Sequence, residues 1–199
     1  MKKIAFVAAL ILCLCPSVYP QILNKTTGAV KPVRKLVVYD DSKAGAYSPS
    51  GWMGDLGSVQ VDASSAVKPR SGRYCMRWKY DTTKKGKEGW AGVYWQYPAN
   101  NWGTKKGMDL TGYKKLSFWI RGEAGGEVID VKVGGITGDF PDTCSKELKG
   151  LRLSKDWKQY TVDLSGCDLS NVIGGFCWAA DSNKNSGIVT FYLDGIIYE

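Results

Sequence analysis

The residue types most able to do chemistry by their spacing are concentrated in Gly89-Trp90-Ala91-Gly92-Val93-Tyr94-Trp95-Gln96-Tyr97-Pro98, followed by Ala99-Asn100-Asn101-Trp102-Gly103. The two-residue period of a strand puts Trp90, Gly92, Tyr94 and Gln96 on one face and Ala91, Val93, Trp95 and Tyr97 on the other. The second face is apolar enough to be core. The first carries two rings beside a glycine and an amide, an odd choice for a surface that meets only water. Flat rings alternating with hydrogen-bonding groups suit a sugar, which has apolar C–H faces and a hydroxyl rim. A strand packed between two layers would use the same residues, because tryptophan is common in all-β cores.

Two further strands extend this chemistry. Lys115-Leu116-Ser117-Phe118-Trp119-Ile120-Arg121 turns Leu116, Phe118 and Ile120 to the core and Trp119 and Arg121 to the opposite surface. Val128-Ile129-Asp130-Val131-Lys132-Val133 sets Asp130 and Lys132 outward in the same way. With Trp90, Tyr94 and Gln96 on that same surface, rings for stacking would lie beside a guanidinium, a carboxylate, an amine and an amide for hydroxyls. An Arg121–Asp130 cross-strand ion pair on a wet face is the plainer alternative, worth at most about 1 kcal/mol. Trp52 and Trp102 sit in loops that could rim such a cleft, with Asp55 nearby, and Tyr192 shares the face through alternation with Thr190 and Asp194. Trp178 shares a face with Phe176 and is expected in the core.

Histidine is absent from the chain. That removes serine–histidine and cysteine–histidine nucleophiles and histidine-ligated metals, so an enzyme here would run on carboxylates. A glycoside hydrolase or polysaccharide lyase on this scaffold would draw on Asp55, Glu123, Glu127 and Asp130, with two carboxyls flanking the scissile bond and one pKa raised. Glu123 and Glu127 fall in the glycine-rich Gly122-Glu123-Ala124-Gly125-Gly126-Glu127, a poor platform for positioned acid–base work. A third class, a surface or matrix module holding another protein, would show an apolar patch broader than a glycan cleft.

The elements that must position these residues are short strands. Strand patterns begin at Leu36-Val37-Val38-Tyr39 and recur at Ser58–Asp62, Arg73–Tyr80, Leu151–Leu153, Gln159–Leu164, Val172–Ala179 and Val189–Tyr198. The segment from Gly45 to Gly51 reads as a long loop leading to Trp52. No stretch sustains helical spacing. With 24 glycines, many turns and nine or ten strands, the fold class is an all-β sandwich or jelly roll.

The chain's 199 residues suit one domain. Residues 1–17 have the basic start and short apolar run of a secretory signal, with Ser17 the first candidate for cleavage and Cys15 a weaker candidate for lipid anchoring. Residues 18–35 read as a flexible leader and 36–199 as the folded domain. The mature chain is therefore expected to be secreted, periplasmic or at the cell surface, with no integral membrane segment. Cys75, Cys144, Cys167 and Cys177 then permit two disulfides in any of three pairings. Loss of Lys2 and Lys3 takes the formal charge from +8 to +6, mostly lysine doublets in loops. Nucleic acid is not expected as a partner, since such a surface concentrates its basic residues on one element.

The aromatic strand, together with Asp109-Leu110-Thr111-Gly112-Tyr113-Lys114-Lys115-Leu116-Ser117-Phe118-Trp119-Ile120-Arg121-Gly122, Trp157-Lys158-Gln159-Tyr160-Thr161-Val162-Asp163-Leu164 and Phe191-Tyr192-Leu193-Asp194-Gly195-Ile196, resembles the β-jelly-roll carbohydrate-binding modules of the galactose-binding-like superfamily. Modules of the family 11 type, often joined to endoglucanases, are the nearest in kind. The resemblance spans roughly Leu36 to Glu199. It implies a non-catalytic protein holding a polysaccharide or oligosaccharide, a β-glucan or related cell-wall glycan, on a concave aromatic sheet. The chain departs from the usual arrangement in standing without a catalytic partner, which leaves open whether it serves a separate glycan-degrading enzyme. The resemblance also implies a structural calcium ion where the first and last strands meet. Its ligands would be Asp40 or Asp41, Asp194 and backbone carbonyls of the Arg70 to Arg73 turn.

Overall fold

The computed structural model describes residues 34–199 apart from 42 and 85. The expected signal and nearly all of the leader lie outside the described residues. Twelve strands follow in chain order: β1 (Leu36–Asp40), β2 (Lys43–Ala44), β3 (Ser48–Gly54), β4 (Val59–Ser65), β5 (Cys75–Asp81), β6 (Trp90–Gln96), β7 (Lys115–Gly122), β8 (Val128–Gly134), β9 (Ser145–Arg152), β10 (Lys158–Asp163), β11 (Gly174–Asp181) and β12 (Ile188–Tyr198). The only helical pieces among the described residues are two 3-10 turns.

The strands form two antiparallel sheets. The larger runs β10-β7-β12-β1-β2, with β5 also on β12 and β4 on β5; the smaller runs β3-β6-β11-β8-β9. The spine of the larger sheet is β12, whose eleven residues serve three partners. One edge pairs with β7, while the other pairs with β5 through Ile188 to Leu193 and with β1 through Ile196 to Tyr198. The sandwich follows from period-two alternation with apolar residues inward. Trp78 of β5 meets Trp52, Trp95 and Trp178 of the smaller sheet at centroid distances of 5.6, 5.6 and 5.0 Å. Phe176 packs edge-on against Phe118 of β7, and Trp178 against Phe191 of β12. Trp178 is fully buried, as its alternation indicates.

Three differences from the sequence reading have physical reasons. The segment read as a loop before Trp52 is β3, where Pro49 and Gly51 mask the pattern. β3 is an edge strand with a register shift between those two residues, and edges and bulges are where proline is tolerated. Among the described residues one disulfide forms, Cys144–Cys167. Cys75 and Cys177 are buried free thiols in different sheets, and burial pushes Cys75 up to about 11. Most consequential, β7 and β8 are neighbours in sequence but belong to different sheets.

Candidate functional site

β6 is the middle of the site. Ala91, Val93 and Trp95 are buried in the core, so alternation turns Trp90, Gly92, Tyr94 and Gln96 to the outer face of the smaller sheet. Register then sets neighbours in rows across the strands. Met53, Gly92, Ala179 and Asp130 form one row; Gly51, Tyr94, Cys177, Lys132 and Glu147 form the next; Asp181 lies beside Trp90. Gly92 and Ala179 hold almost no side chain, and a Cβ on Gly92 would stand 2.8 Å from the Trp178 carbonyl oxygen. The first row is therefore low ground. Trp90 and Tyr94 flank it about 13 Å apart along the strand, at ~3.3 Å per residue.

Tyr94 itself is only 6% exposed. Its ring packs with Ile136, Ile173, Cys177 and Met53, and its hydroxyl donates to the Gly134 carbonyl at 3.0 Å. A Cβ at Gly174 would lie 2.8 Å from Tyr94 Cε1, so the ring needs that glycine. Burial pushes the phenol far above its ordinary value. The ring offered outward is Trp102, 44% exposed and seated edge-on against Tyr94 with centroids 6.2 Å apart and an interplanar angle of 88°.

The segment carrying Trp102 is fixed from below. Asn101, buried, accepts at Oδ1 from the backbone N–H of Gly103, Thr104 and Lys105, and donates from Nδ2 to the Lys105 carbonyl. Gln96, fully buried, donates to the Asn101 carbonyl at 2.9 Å and accepts from the Ser50 hydroxyl at 3.0 Å. Gly103 takes φ 90° against the Thr137 carbonyl, where a Cβ cannot fit. At the other end of β6, Asp55 accepts the N–H groups of Glu88 and Gly89, and its own N–H donates to the Trp90 carbonyl. Gln96 and Asp55 thus hold Trp102 and Trp90 in place and offer little to a ligand directly.

Asp130 and Lys184 close one end of the low row, with Nζ to Oδ2 at 2.8 Å. Burial pushes the Asp130 carboxyl up, but hydrogen bonds from Lys184 and the Gly150 N–H, with the Lys184 and Lys149 charges, outweigh it and hold the group below the ordinary value. The hydrogen bond and charge of Asp130 hold Lys184 raised. The pair therefore persists through neutral pH and is lost as acid protonates Asp130.

The structure divides the ten residues read as ligand-binding between distinct places. Trp90, Tyr94, Gln96, Asp130 and Lys132 share the outer face of the smaller sheet, with Asp55 buried at its rim. Trp119, Arg121 and Tyr192 belong to the larger sheet's outer face, on the far side of the core. There the Arg121 guanidinium, buried, lies 3.7 Å from the Tyr192 ring centroid and donates to the Val67 carbonyl, while Arg70 covers Trp119 at 4.3 Å. Trp52 points inward onto Trp78 instead of rimming a cleft. The Arg121–Asp130 ion pair does not form: Arg121 approaches Glu123 at 3.7 Å and Asp130 holds Lys184. Trp102, read as a rim residue, does border this face, and two contributors were missed, namely Met53 and Lys184. Recognising β3 as a strand would have found Met53 by alternation with Gly51.

The acids named for a hydrolase do not converge. Asp55 caps the start of β6, Glu123 accepts from the Tyr192 hydroxyl on the larger sheet, Glu127 accepts the Ala124 N–H, and Asp130 is paired with Lys184. The metal candidates are also partly separated. Asp41 Oδ1 accepts the N–H of Arg73 and of Tyr74, which holds that carboxyl low. Asp194 is buried, accepts from Ser71 and Gly195, and is raised by burial and by the charge of Asp40, with those backbone donors opposing. Among the described residues no three or more His, Cys, Asp or Glu side chains are grouped so as to hold a metal ion. No described helix is long and apolar enough to cross a membrane.

A family model described as Carbohydrate binding domain 30 matches residues 35–180. A crystal structure of a family 30 carbohydrate-binding module superposes with TM-score 0.57 at 14% identity, covering 84% of this chain and 88% of that one. The family 30 module of a cellulosomal cellulase of Clostridium thermocellum gives 0.56 at 12% identity, covering 84% and 98%. A family 11 module from Clostridium thermocellum, in complex with a β-1,3-1,4-mixed-linked tetrasaccharide, gives 0.53 at 15% identity, covering 82% and 94%. No curated protein matches the chain.

Because Tyr94 is packed, Tyr94→Ala is expected to cost roughly 3–5 kcal/mol in urea denaturation. Tyr94→Phe, which leaves the Gly134 carbonyl without its donor, should cost about 1 kcal/mol. An unchanged midpoint for the alanine variant would show that the ring is not part of the packing.

Proposed function

This chain belongs to the carbohydrate binding domain 30 family, and we propose that it holds a β-glucan or related cell-wall polysaccharide along the low row of the smaller sheet. The observation that carries the reading is the pairing of Trp90 with Trp102 on either side of Gly92 and Ala179. Sugar rings can lie against indole faces there, while the Asp130–Lys184 pair borders the row and Lys132 lies in the next one, polar groups that can meet hydroxyls. Both indoles are carried on backbone fixed by buried hydrogen bonds. Little ordering cost then falls on binding, which is how a shallow open face can still hold a flexible chain. The tetrasaccharide named for the family 11 structure is the chemical precedent for the substrate class.

The binding role is non-catalytic. No two of the acids considered stand across the low row from each other, and Asp130, the one that borders it, is kept ionised by Lys184.

Calcium enters the same proposal with a smaller ligand set than three carboxylates: Asp40, Asp194 and backbone carbonyls of the Arg70 to Arg73 turn. Asp194 is raised first by its burial and further by the nearby Asp40 charge, and a divalent cation with hard oxygen ligands would relieve that repulsion. The ion would tie β1 to β12 and take no part at the sugar face.

Trp90→Ala and Trp102→Ala should each weaken retention on a mixed-linkage β-glucan in affinity electrophoresis by about tenfold in Kd or more, ~1.4 kcal/mol per decade. Thermal unfolding should stay nearly unchanged for Trp102→Ala, whose ring is half exposed. Undiminished retention in both variants would remove the aromatic face from the account. For the ion, a chelator should lower the melting temperature by several degrees, as expected for a ligand bound only by the native state. A melt indifferent to chelator and to added calcium would contradict it.

A further inference from the structure

Beyond the Asp130–Lys184 pair the molecule has a recess of about 360 Å³, lined by Gly125, Gly126, Glu127, Arg152, Lys184 and Asn185 among others. Ligand pockets begin at about 300 Å³, so the space suits one small ring. Three features give it chemistry. Arg152 donates to the Gly126 carbonyl at 3.2 Å and brings its guanidinium to the wall. Glu127 accepts the Ala124 N–H at Oε1, while its Oε2 is buried and has no hydrogen-bond partner. Asn185 clamps the turn after β11 to β8, bonding both the N–H and the carbonyl of Val128. The recess is thus walled by strand ends that Asn185 locks together and presents the charged donors of Arg152 and Lys184, while the inaccessible Glu127 Oε2 is turned toward Gly122 and supplies only its charge.

Its position relates it to the sugar face. Lys184 both lines the recess and bonds Asp130, which stands opposite Ala179 in the low row. The two spaces share that ion pair as a wall. Their linings differ in kind, since no aromatic residue lines the recess, so a ring there would be gripped by its hydroxyl rim and not by its faces. A main chain lying flat on indoles would not turn into such a space; a substituent projecting sideways from it would. The two cations of the lining are matched by Glu127 and by Asp130, which favours an uncharged guest over an acidic one. We infer that this recess is a subsite for a single neutral sugar branching from the polysaccharide main chain, an inference that rests on the proposed glycan role of the neighbouring face.

Isothermal titration of the full chain with two oligosaccharides tests this: a linear β-1,4-glucan oligosaccharide and the same backbone bearing α-xylosyl branches. The branched ligand should bind about tenfold tighter or better, the worth of one charge-assisted hydrogen bond. Arg152→Ala, and independently Ser186→Trp, which fills the recess from its exposed edge, should abolish that advantage and leave the linear ligand's affinity unchanged. Equal affinities for the two ligands, or an advantage that survives both variants, overturns the inference and leaves the glycan face standing. Binding of neither oligosaccharide overturns both.

Discussion

The arrangement depends on one strand being asked to serve two surfaces. β6 must bury Ala91, Val93 and Trp95 against the larger sheet while its other side forms the middle of an open face. The constraint is met by the Tyr94 ring, which lies on Gly174 and Cys177 and ties β6 to the end of β8 through the Gly134 carbonyl. With that ring flat and packed, the sheet has a firm second layer, and Trp102 can be seated on it without being swallowed. Without it, the face would collapse toward β11 or lie open to water around the sheet backbone.

Stiffness around the half-buried Trp90 and the exposed Trp102 is supplied by polar groups largely withdrawn from solvent. Gln96, Asn101 and Ser50 form one buried network under Trp102, and Asp55 holds the start of β6 beneath Trp90. Burying such groups is costly unless they are paired, and here Gln96 and Asn101 bond at both ends of their amides. That pairing fixes loop geometry at little risk to stability. It also explains why residues with sugar-binding chemistry, an amide and a carboxylate, work here from below the surface.

Much of the fold was legible. Period-two alternation identified the inner and outer faces of β6, β7 and β8, and the run from Leu36 is where β1 begins. Alternation reports which side of a strand is buried but not which sheet owns the strand. Trp119 and Arg121 were therefore grouped with Asp130 and Lys132, although β7 and β8 cross from one sheet to the other. Local pattern also cannot foresee cover from a distant segment. Tyr94 does point outward, and the chain around Trp102, Ile136 and Ile173 then closes over it. Trp52 went astray for a third reason, the proline and glycine that hid β3. The outward placement of Trp90, Asp130 and Lys132 was readable because a strand with one filled face leaves its remaining residues nowhere to go but out.

The most direct test is a nuclear magnetic resonance titration with a mixed-linkage β-glucan tetrasaccharide, following the indole N–H signals of all eight tryptophans. The account predicts large, saturable shifts at Trp90 and Trp102, with Trp119 of the larger sheet and Trp157, which packs against Arg121 just before β10, unmoved. Shifts concentrated at Trp119 and Trp157, with Trp90 and Trp102 silent, would place the sugar on the opposite face and contradict it.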